Sequence, residues 1–329
     1  MRVWPARSNI TDISCGVSSP HGCAKPVRAR ARNNPVLTVL LPLRNGARFL
    51  PEQLHSLARQ SLPPHHLIVS DDGSSDGSPD IVSDFARTAP FAVTLMQGPR
   101  LGLAHNVCAL IRAAPSGMLA FCDQDDVWLP DRLAQAQVAL ASAARPALHV
   151  SARIVTNAAL DHRGYLPPPR TTGFANALVQ NAAPANATVL NAAAGELLRR
   201  MAPKAGHMPY FPDWFIYALV TGAGGHVRTD PRAGLLYRQH GANVLGAALG
   251  PRAALHRARC LFNGRYGGWL RAHLAALDDA RAALTPRARA QLDAFRATLD
   301  AGGPARLAAA RHGMGQNTLL RIAARLGCL

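Results

Sequence analysis

The sequence predicts an α/β protein with a mostly parallel sheet flanked by helices, followed by a C-terminal helical region. Two observations predict this class. From Val36, short apolar runs alternate with segments of helical periodicity four times over about 110 residues, as successive β-α-β units do. Beyond residue 247, apolar residues recur only at helical spacing.

The strands are predicted from short apolar runs. Val36–Leu41 is rich in β-branched residues and is followed by Pro42, where we expect the strand to stop. The other predicted strands are Leu67–Ser70, Phe91–Met96 and Met118–Cys122. Two acid clusters directly follow strands, and ligands of parallel sheets lie beyond the carboxyl ends of the strands. We therefore expect a site at that edge.

The helices are predicted from apolar spacing and start signals. The segment from Ser78 has proline at its first helical position and an acid in its first turn. The predicted helices are one through Leu50, Leu54 and Leu57, one from Ser78, and those at Leu103–Ile111, Asp131–Ala144 and Phe174–Gln180. The C-terminal apolar faces comprise Leu270, Leu274, Leu277 and Leu284, then Ala288, Leu292, Phe295 and Leu299.

The charge is distributed unevenly along the chain. The net charge is +17, of which residues 1–35 carry +5, residues 36–246 carry +3 and residues 247–329 carry +9. We predict a disordered basic tail, a catalytic domain and a basic helical region over these three ranges. The excess charge suggests a nucleic-acid-binding protein, but the middle range is nearly neutral and no aromatics are interleaved with the arginines. We expect no nucleic-acid partner.

The cysteines and the N-terminal segment bear on the cellular compartment. Six scattered cysteines form no CxxC pair, which fits a reducing compartment better than a disulfide framework. The first 35 residues lack the apolar core of a secretory signal, and no run of about 18 apolar residues predicts a membrane span. We expect a cytoplasmic protein.

The second acid cluster has the pattern of a metal site. Asp123 and Asp125 occupy alternate positions after a strand, so both carboxylates face the same way where the chain is extended. Mg²⁺ or Mn²⁺ takes one or two carboxylates and completes its shell with water and phosphate oxygens. Asp126 adds a third acid, and such crowding is repulsive without a cation. The alternative is a solvated acidic turn.

The first acid cluster has the pattern of a nucleotide pocket. From Asp72, the sequence follows the opening of a calcium loop, but Ser83 stands where the loop needs Glu, and a strand precedes it instead of a helix. The calcium interpretation therefore fails. A carboxylate after a strand, followed by Gly-Ser-Ser, suits a base or ribose because small residues allow close approach.

A third acid, Asp213, lies between apolar residues, Phe211 and Pro212 before it and Trp214 after it. An apolar setting raises the pKa of a carboxyl toward that of a useful general base. The alternative is an aspartate that starts a helix after proline.

Together these motifs resemble the inverting family 2 glycosyltransferases with the GT-A fold, most of all their bacterial rhamnosyltransferase-like branch. The resemblance covers about residues 36–246. The segments that carry it are Leu41–Leu50, Val69–Asp76, Gly98–Asn106, the DQDDVW run within Phe121–Leu133, Asp213-Trp214 and Tyr237–Asn243.

The resemblance implies a role for each site residue. It implies Asp213 as the general base that activates an acceptor hydroxyl. The implied nucleotide-sugar contacts are Pro42, Asn45, Asp71, Asp72, Arg100, Asn106 and Asp123. The implied metal ligands are Asp123, Asp125 and His240. The implied acceptor-side residues are Asp126, Trp128 and Trp214.

The resemblance also implies partners. It implies a dTDP-rhamnose or UDP-sugar donor and a lipid-linked glycan acceptor, as in bacterial polysaccharide or lipopolysaccharide assembly. The arginine-rich ends would then attract anionic lipid at the inner membrane face, at about 1 kcal/mol per nearby basic residue. Arg44, Pro184 and Pro212 depart from the family's pattern. The alternatives are a degenerate nucleotide-sugar-binding protein, a nucleic-acid-binding basic protein and a metal phosphohydrolase that uses the same acids.

Overall fold

The computed structural model describes residues 35–202, 209–241 and 251–300. The predicted basic tail, apart from Pro35, lies outside these ranges, as do the end of the predicted catalytic domain after Gly241 and the last 29 residues.

One mixed sheet and its surrounding helices make up the described chain. The strands are β1 (Leu37–Leu43), β2 (His66–Asp71), β3 (Ala92–Gln97), β4 (Met118–Phe121), β5 (Val127–Trp128), β6 (Ala147–Thr156), β7 (His162–Leu166), β8 (Thr188–Leu190) and β9 (His226–Arg238). The helices are α1 (Leu50–Ala58), α2 (Ser78–Ala86), α3 (Leu103–Ala113), α4 (Arg132–Leu140), α5 (Phe174–Ala177), α6 (Ala192–Met201), α7 (Pro212–Gly222), α8 (Pro251–Phe262), α9 (Arg265–Asp279) and α10 (Pro286–Asp300). Short 3₁₀ turns lie at Ala185–Ala187 and Arg281–Ala283.

The sheet has a parallel half and a mixed half. Its strand order is β3-β2-β1-β4-β8-β6-β9-β5, with β7 paired to β6. The first four strands in this order are parallel, which confirms the predicted α/β class. The fifth, β8, is antiparallel to both its neighbours, while β6 and β9 run parallel. Because β1, β2 and β4 are parallel and adjacent, their carboxyl ends form one edge.

The first strand does not stop at Pro42. It continues to Leu43, and Pro42 pairs with Ser70 of β2. The pairing of β1 with β4 ends at Leu40, opposite Phe121. The proline therefore lies beyond the end of that ladder, where a missing N–H disrupts no regular pairing with β4.

The C-terminal helices pack on the domain that precedes them. The imidazole of His273 in α9 stacks on Trp214 of α7, with ring centroids 4.3 Å apart. The Tyr266 hydroxyl donates to the Val179 carbonyl at 2.6 Å. The predicted apolar faces lie in the common core, with Leu299 only partly buried. These faces are thus covered by protein and not available to a membrane.

No helix within the described ranges is both long enough and apolar enough to cross a lipid bilayer.

Candidate active site

The loops after β1, β2 and β4 meet at the carboxyl edge of the sheet. Asn45 adopts the left-handed conformation, with φ of 49°, and its N–H donates to Ser74 Oγ at 2.9 Å. The Asn45 Oδ1 accepts the Ser75 N–H at 2.8 Å, and the Ala47 N–H donates to Asp76 Oδ2 at 3.0 Å. Asn45, predicted as a nucleotide contact, is exposed and joins the loop after β1 to the loop after β2.

Asp72 holds the loop after β3 in place. Its carboxylate is only 3% exposed and accepts the N–H groups of Arg100 at 2.7 Å and Gly102 at 2.8 Å, one on each oxygen. The neighbouring Asp71 accepts the Ser74 N–H at 3.1 Å. Asp72 therefore supports the loop that carries Arg100, and its predicted contact with base or ribose stays a prediction.

Asn106 is also a loop support. It is buried, and its Nδ2 donates to the Ser70 carbonyl at 2.8 Å. A Cβ on Gly98 would lie 2.8 Å from Asn106 Oδ1, so only glycine fits above it. Asn106 thus supports this loop, and its predicted nucleotide contact stays a prediction. By contrast, the Arg100 side chain is exposed and passes beside Gly73 of the loop after β2.

Gln124, to which the sequence assigned no role, joins the acid turn to the loop after β1. Its Oε1 accepts the Arg44 N–H at 2.9 Å, and its Nε2 donates to the Arg44 carbonyl at 3.0 Å. A Cβ on Gly46 would lie 2.8 Å from Gln124 Cδ. Gln124, which lies between the predicted metal ligands Asp123 and Asp125, thus holds the backbone of Arg44 in place.

The predicted metal residues lie together. Asp125 Oδ2 is 2.7 Å from His240 Nε2. Burial, and then the carboxylates of Asp126, Asp125 and Asp213, raise the pKa of Asp123 well above its usual range. Four acidic side chains of two distant segments therefore repel one another in one place, and a bound cation would relieve that repulsion.

These residues fit a divalent ion that keeps part of its shell from elsewhere. No group of three or more His, Cys, Asp or Glu side chains in the described ranges is arranged to hold a metal ion. Mg²⁺ and Mn²⁺ sites commonly use one or two carboxylates and take the remaining ligands from water and phosphate. The acid-rich donor set at Asp123 and Asp125 suits such a site.

Asp126 supports the turn from beneath. It is 0% exposed, and its oxygens accept Asn186 Nδ2 at 2.8 Å and the Arg238 N–H at 3.1 Å. Burial, followed by the charge of Asp125, raises the pKa of Asp126 to about 7. Asp126 is therefore closed off from solvent in this structure, and its predicted acceptor-side position stays a prediction.

Trp128 and Trp214 are packing residues. Trp128 is 2% exposed, and the Arg132 guanidinium lies 4.2 Å above its ring centroid. Trp214 is 4% exposed, and its Nε1 donates to the Ala177 carbonyl at 2.6 Å. Both rings are buried by protein in this structure, and their predicted acceptor-side position stays a prediction.

Asp213 lies in the first turn of α7 and faces the acid turn. Its Oδ2 accepts the Ala185 N–H at 3.2 Å, and its Oδ1 accepts the Trp214 N–H at 2.9 Å. Burial raises the pKa of Asp213, and these hydrogen bonds offset that rise only in part. Pro212 precedes it at the first helical position, where a missing N–H costs no hydrogen bond.

Arg238, the last residue of β9, links these parts. Its N–H binds Asp126, its Nε donates to the Asp125 carbonyl at 2.8 Å, and its Nη1 donates to the Ala158 carbonyl at 2.6 Å. Its Nη2 pairs with Glu52 of α1. Arg238 lies in the segment Tyr237–Asn243 that carries the family resemblance, but no role was predicted for it.

Comparison with known proteins agrees with this architecture. Residues 38–190 match the model of the family described as glycosyl transferase family 2. An uncharacterized glycosyltransferase of Nostoc sp. is 30% identical over 97 residues, covering 30% of each chain. The putative teichuronic acid biosynthesis glycosyltransferase TuaG of Bacillus subtilis is 30% identical over 101 residues, covering 30% of this chain and 39% of TuaG. The matched segment thus spans about a third of these relatives.

A solved structure matches over a longer range. The crystal structure of S. aureus TarS in complex with UDP-GlcNAc superimposes with a TM-score of 0.52 at 15% sequence identity, covering 88% of this chain and 90% of that chain. At this identity the match establishes a common fold.

Proposed function

We propose that this chain, whose residues 38–190 form a family 2 glycosyltransferase domain with the GT-A fold, transfers a sugar from a nucleotide diphosphate to an acceptor hydroxyl with inversion. The observation that carries the proposal is the meeting of two acidic segments. Asp123 and Asp125 follow β4, whereas Asp213 begins α7, yet the Asp213 carboxylate is close enough to raise the pKa of Asp123.

Asp123 and Asp125 would hold a Mg²⁺ or Mn²⁺ ion, with His240 beside Asp125. When bound, such an ion neutralises charge on the diphosphate and stabilises the departing nucleotide. The protein's part is to place two carboxylates at the end of β4 and to keep the remaining coordination positions open to phosphate oxygens.

The donor nucleotide would lie along the loops after β1 and β2. Exposed Asn45 and Arg100 face the mouth of that cleft, and Asp72 and Asn106 support the loops from behind. Pro42, the one half-buried residue of β1, would lie beside the nucleotide. We extend the proposal to a dTDP- or UDP-linked sugar, rhamnose among them, as the donor.

Asp213 would act as the general base. A raised pKa brings its carboxyl closer to the proton affinity needed to take a proton from a sugar hydroxyl near neutral pH. The acceptor oxygen would then attack the anomeric carbon from the face opposite the leaving nucleotide, so that the configuration inverts. The proton moves to Asp213 and the bond to the diphosphate breaks.

We further propose a lipid-linked glycan as the acceptor and a cytoplasmic location at the inner membrane face. The buried apolar faces of α9 and α10 lend no support to membrane insertion. Attraction to anionic lipid would come from exposed arginines of the helical region: Arg259, Arg265, Arg271 and Arg287.

The direct test is a thermal-shift screen of nucleotide-sugars with Mn²⁺ or EDTA, followed by turnover of the donors that bind. Metal-dependent stabilisation by a nucleotide-sugar, and release of nucleotide that accelerates with acceptor, is the expected result. Release of inorganic phosphate without any acceptor would instead identify a phosphohydrolase.

Replacing Asp213 separates binding from chemistry. The Asp213→Asn protein keeps the shape of the side chain and should bind donor and Mn²⁺ normally, while transfer falls by about 10²–10⁴-fold. Calorimetry of donor with Mn²⁺ and single-turnover rates measure the two effects. Loss of donor binding, or an unchanged single-turnover rate, would remove Asp213 from the base role.

A further inference from the structure

We propose that Arg238, together with Glu52, is a positioning residue that sets the geometry of the acid turn at residues 123–126 and so determines its affinity for a divalent cation. The inference rests on the proposed function, because it concerns the metal site of that function. Arg238 would touch neither metal nor substrate and would act through Asp125 and Asp126.

The acid turn has little local structure of its own. It connects β4 to β5, and β5 has only two residues. Those two residues pair with Leu236 and Leu235 of β9, and only Tyr237 separates this pairing from Arg238. The conformation of the turn therefore depends on β9, a strand more than 100 residues later in the chain.

Arg238 contacts the turn at two successive residues. Its Nε donates to the Asp125 carbonyl at 2.8 Å, and its N–H donates to Asp126 Oδ1 at 3.1 Å. Two residues further on, His240 contacts Asp125 Oδ2 at 2.7 Å. Arg238 and His240 thus bind the backbone of Asp125 and one side-chain oxygen each of Asp125 and Asp126.

Glu52 holds the arginine in this position. The Arg238 side chain is 2% exposed, and its Nη2 pairs with the Glu52 carboxylate on α1. The guanidinium also lies 4.5 Å from the ring centroid of Phe49, just before α1. Because a buried guanidinium needs its hydrogen bonds satisfied, the ion pair restricts the side chain to the orientation that reaches the turn.

Charge and positioning predict opposite effects, which makes the proposal testable. A nearby positive charge repels a divalent cation, so its removal alone would tighten Mn²⁺ binding. Loss of positioning would weaken it, because ligands are then no longer held in place. Outer partners of metal ligands contribute about 10–100-fold to metal affinity.

The experiment measures Mn²⁺ binding to the full chain by electron paramagnetic resonance, without nucleotide. In Arg238→Met, Mn²⁺ should bind about 10–100-fold more weakly. Arg238→Lys retains the charge and should recover part of the affinity. Arg199→Met is a matched control, since Arg199 also joins a glutamate, Glu196, to a backbone carbonyl, that of Pro115, and should leave Mn²⁺ affinity unchanged.

Glu52→Gln tests the same link without altering the arginine. It should weaken Mn²⁺ binding severalfold in the wild-type background and have no effect in the Arg238→Met background. A direct electrostatic effect of Glu52 on the cation would persist in both backgrounds. This double-mutant cycle isolates the action through Arg238.

The outcomes are distinguishable. If the wild-type chain binds no Mn²⁺, the proposed metal site fails, and this inference fails with it. If the wild-type chain binds Mn²⁺ but Arg238→Met binds it equally well or more tightly, only the positioning role is overturned. If Arg238→Met does not fold, the comparison uses Glu52→Gln instead. The positioning role is then overturned if Glu52→Gln changes Mn²⁺ affinity no more than the control Arg199→Met does.

Discussion

The two acid clusters at the edge of the sheet differ in how their charges are compensated. In the first, after β2, backbone N–H groups bind the carboxylates of Asp71, Asp72 and Asp76. In the second, after β4, carboxylates lie beside one another, and Asp123 faces Asp125, Asp126 and Asp213. The hydrogen bonds around the first cluster outweigh the effect of burial on the pKa of Asp76, whereas in the second cluster burial and neighbouring carboxylates dominate the pKa values of Asp123 and Asp126.

The pKa values follow the same division. Burial acts to raise the pKa of Asp76, but hydrogen bonds from Ser78 and from the Ala47 N–H outweigh it, so its pKa lies below the usual value. Burial and neighbouring carboxylates instead raise the pKa of Asp126 to about 7. The same residue type is therefore stabilised as an anion in one cluster and destabilised in the other.

The largest effect is expected from the second cluster. Asp125→Asn removes a proposed metal ligand and should abolish metal-dependent donor binding. The loss of several kcal/mol of charge stabilisation corresponds to about a thousandfold or more in rate. Initial rates and Mn²⁺ titration measure both. Asp84→Asn, an exposed aspartate on α2, is the control and should match the wild type. Full activity in Asp125→Asn would contradict a metal-binding role for the second cluster.

Asp72→Asn should affect stability instead of metal binding. Asparagine offers one acceptor where the buried carboxylate uses two oxygens, so one of the Arg100 and Gly102 N–H groups loses its partner. The expected loss is about 1–3 kcal/mol in the free energy of unfolding, with unchanged Mn²⁺ affinity. Urea unfolding and Mn²⁺ titration provide the comparison. Unchanged stability combined with lost nucleotide binding would favour Asp72 as a direct nucleotide contact.

The smallest effect concerns acid stability. Because the pKa of Asp76 is lower in the folded than in the unfolded chain, its contribution is present above the unfolded pKa near 3.8 and is lost as the pH falls through the folded value. Asp76→Asn should therefore reduce the fall in Tm between pH 5 and pH 3, with little change in slope above pH 5. Calorimetric scans across this range would show it; equal slopes for both proteins would contradict it.

Much of the parallel half was predictable from local sequence. The runs Leu67–Val69 and Met118–Cys122 are continuously apolar and buried, as strands covered on both faces are. All four strands predicted there are present, with ends displaced by one or two residues. The helices between them follow the predicted apolar spacing.

The mixed half was not predictable in the same way. The strands β6 to β9 were not identified, although β6 and β9 are the longest. Arginine, histidine and proline interrupt the apolar pattern of β9, and its pairing with β6 contains register shifts near Ala152. Such strands are stabilised by their neighbours instead of by their own pattern, so single-sequence periodicity does not report them.

The C-terminal helices show the limit of amphipathic patterns. Their apolar faces were identified correctly, with Leu270, Leu277 and Leu292 fully or almost fully buried. The pattern cannot state what covers such a face, because a protein core and a membrane surface both accept leucine. Packing against α7 decides between the two for the described part of this region.

The sequence by itself determined the α/β class, the four parallel strands and the placement of two acid clusters after β2 and β4. These follow from local periodicity and from the direction of parallel strands. Only the tertiary structure decided which acids are buried, which tryptophans pack, and that Arg238 joins Asp126, 112 residues away, to Glu52, 186 residues away. The physical reason is that local preferences are properties of neighbouring residues, whereas burial and long-range ion pairs arise only when distant strands meet in the folded sheet.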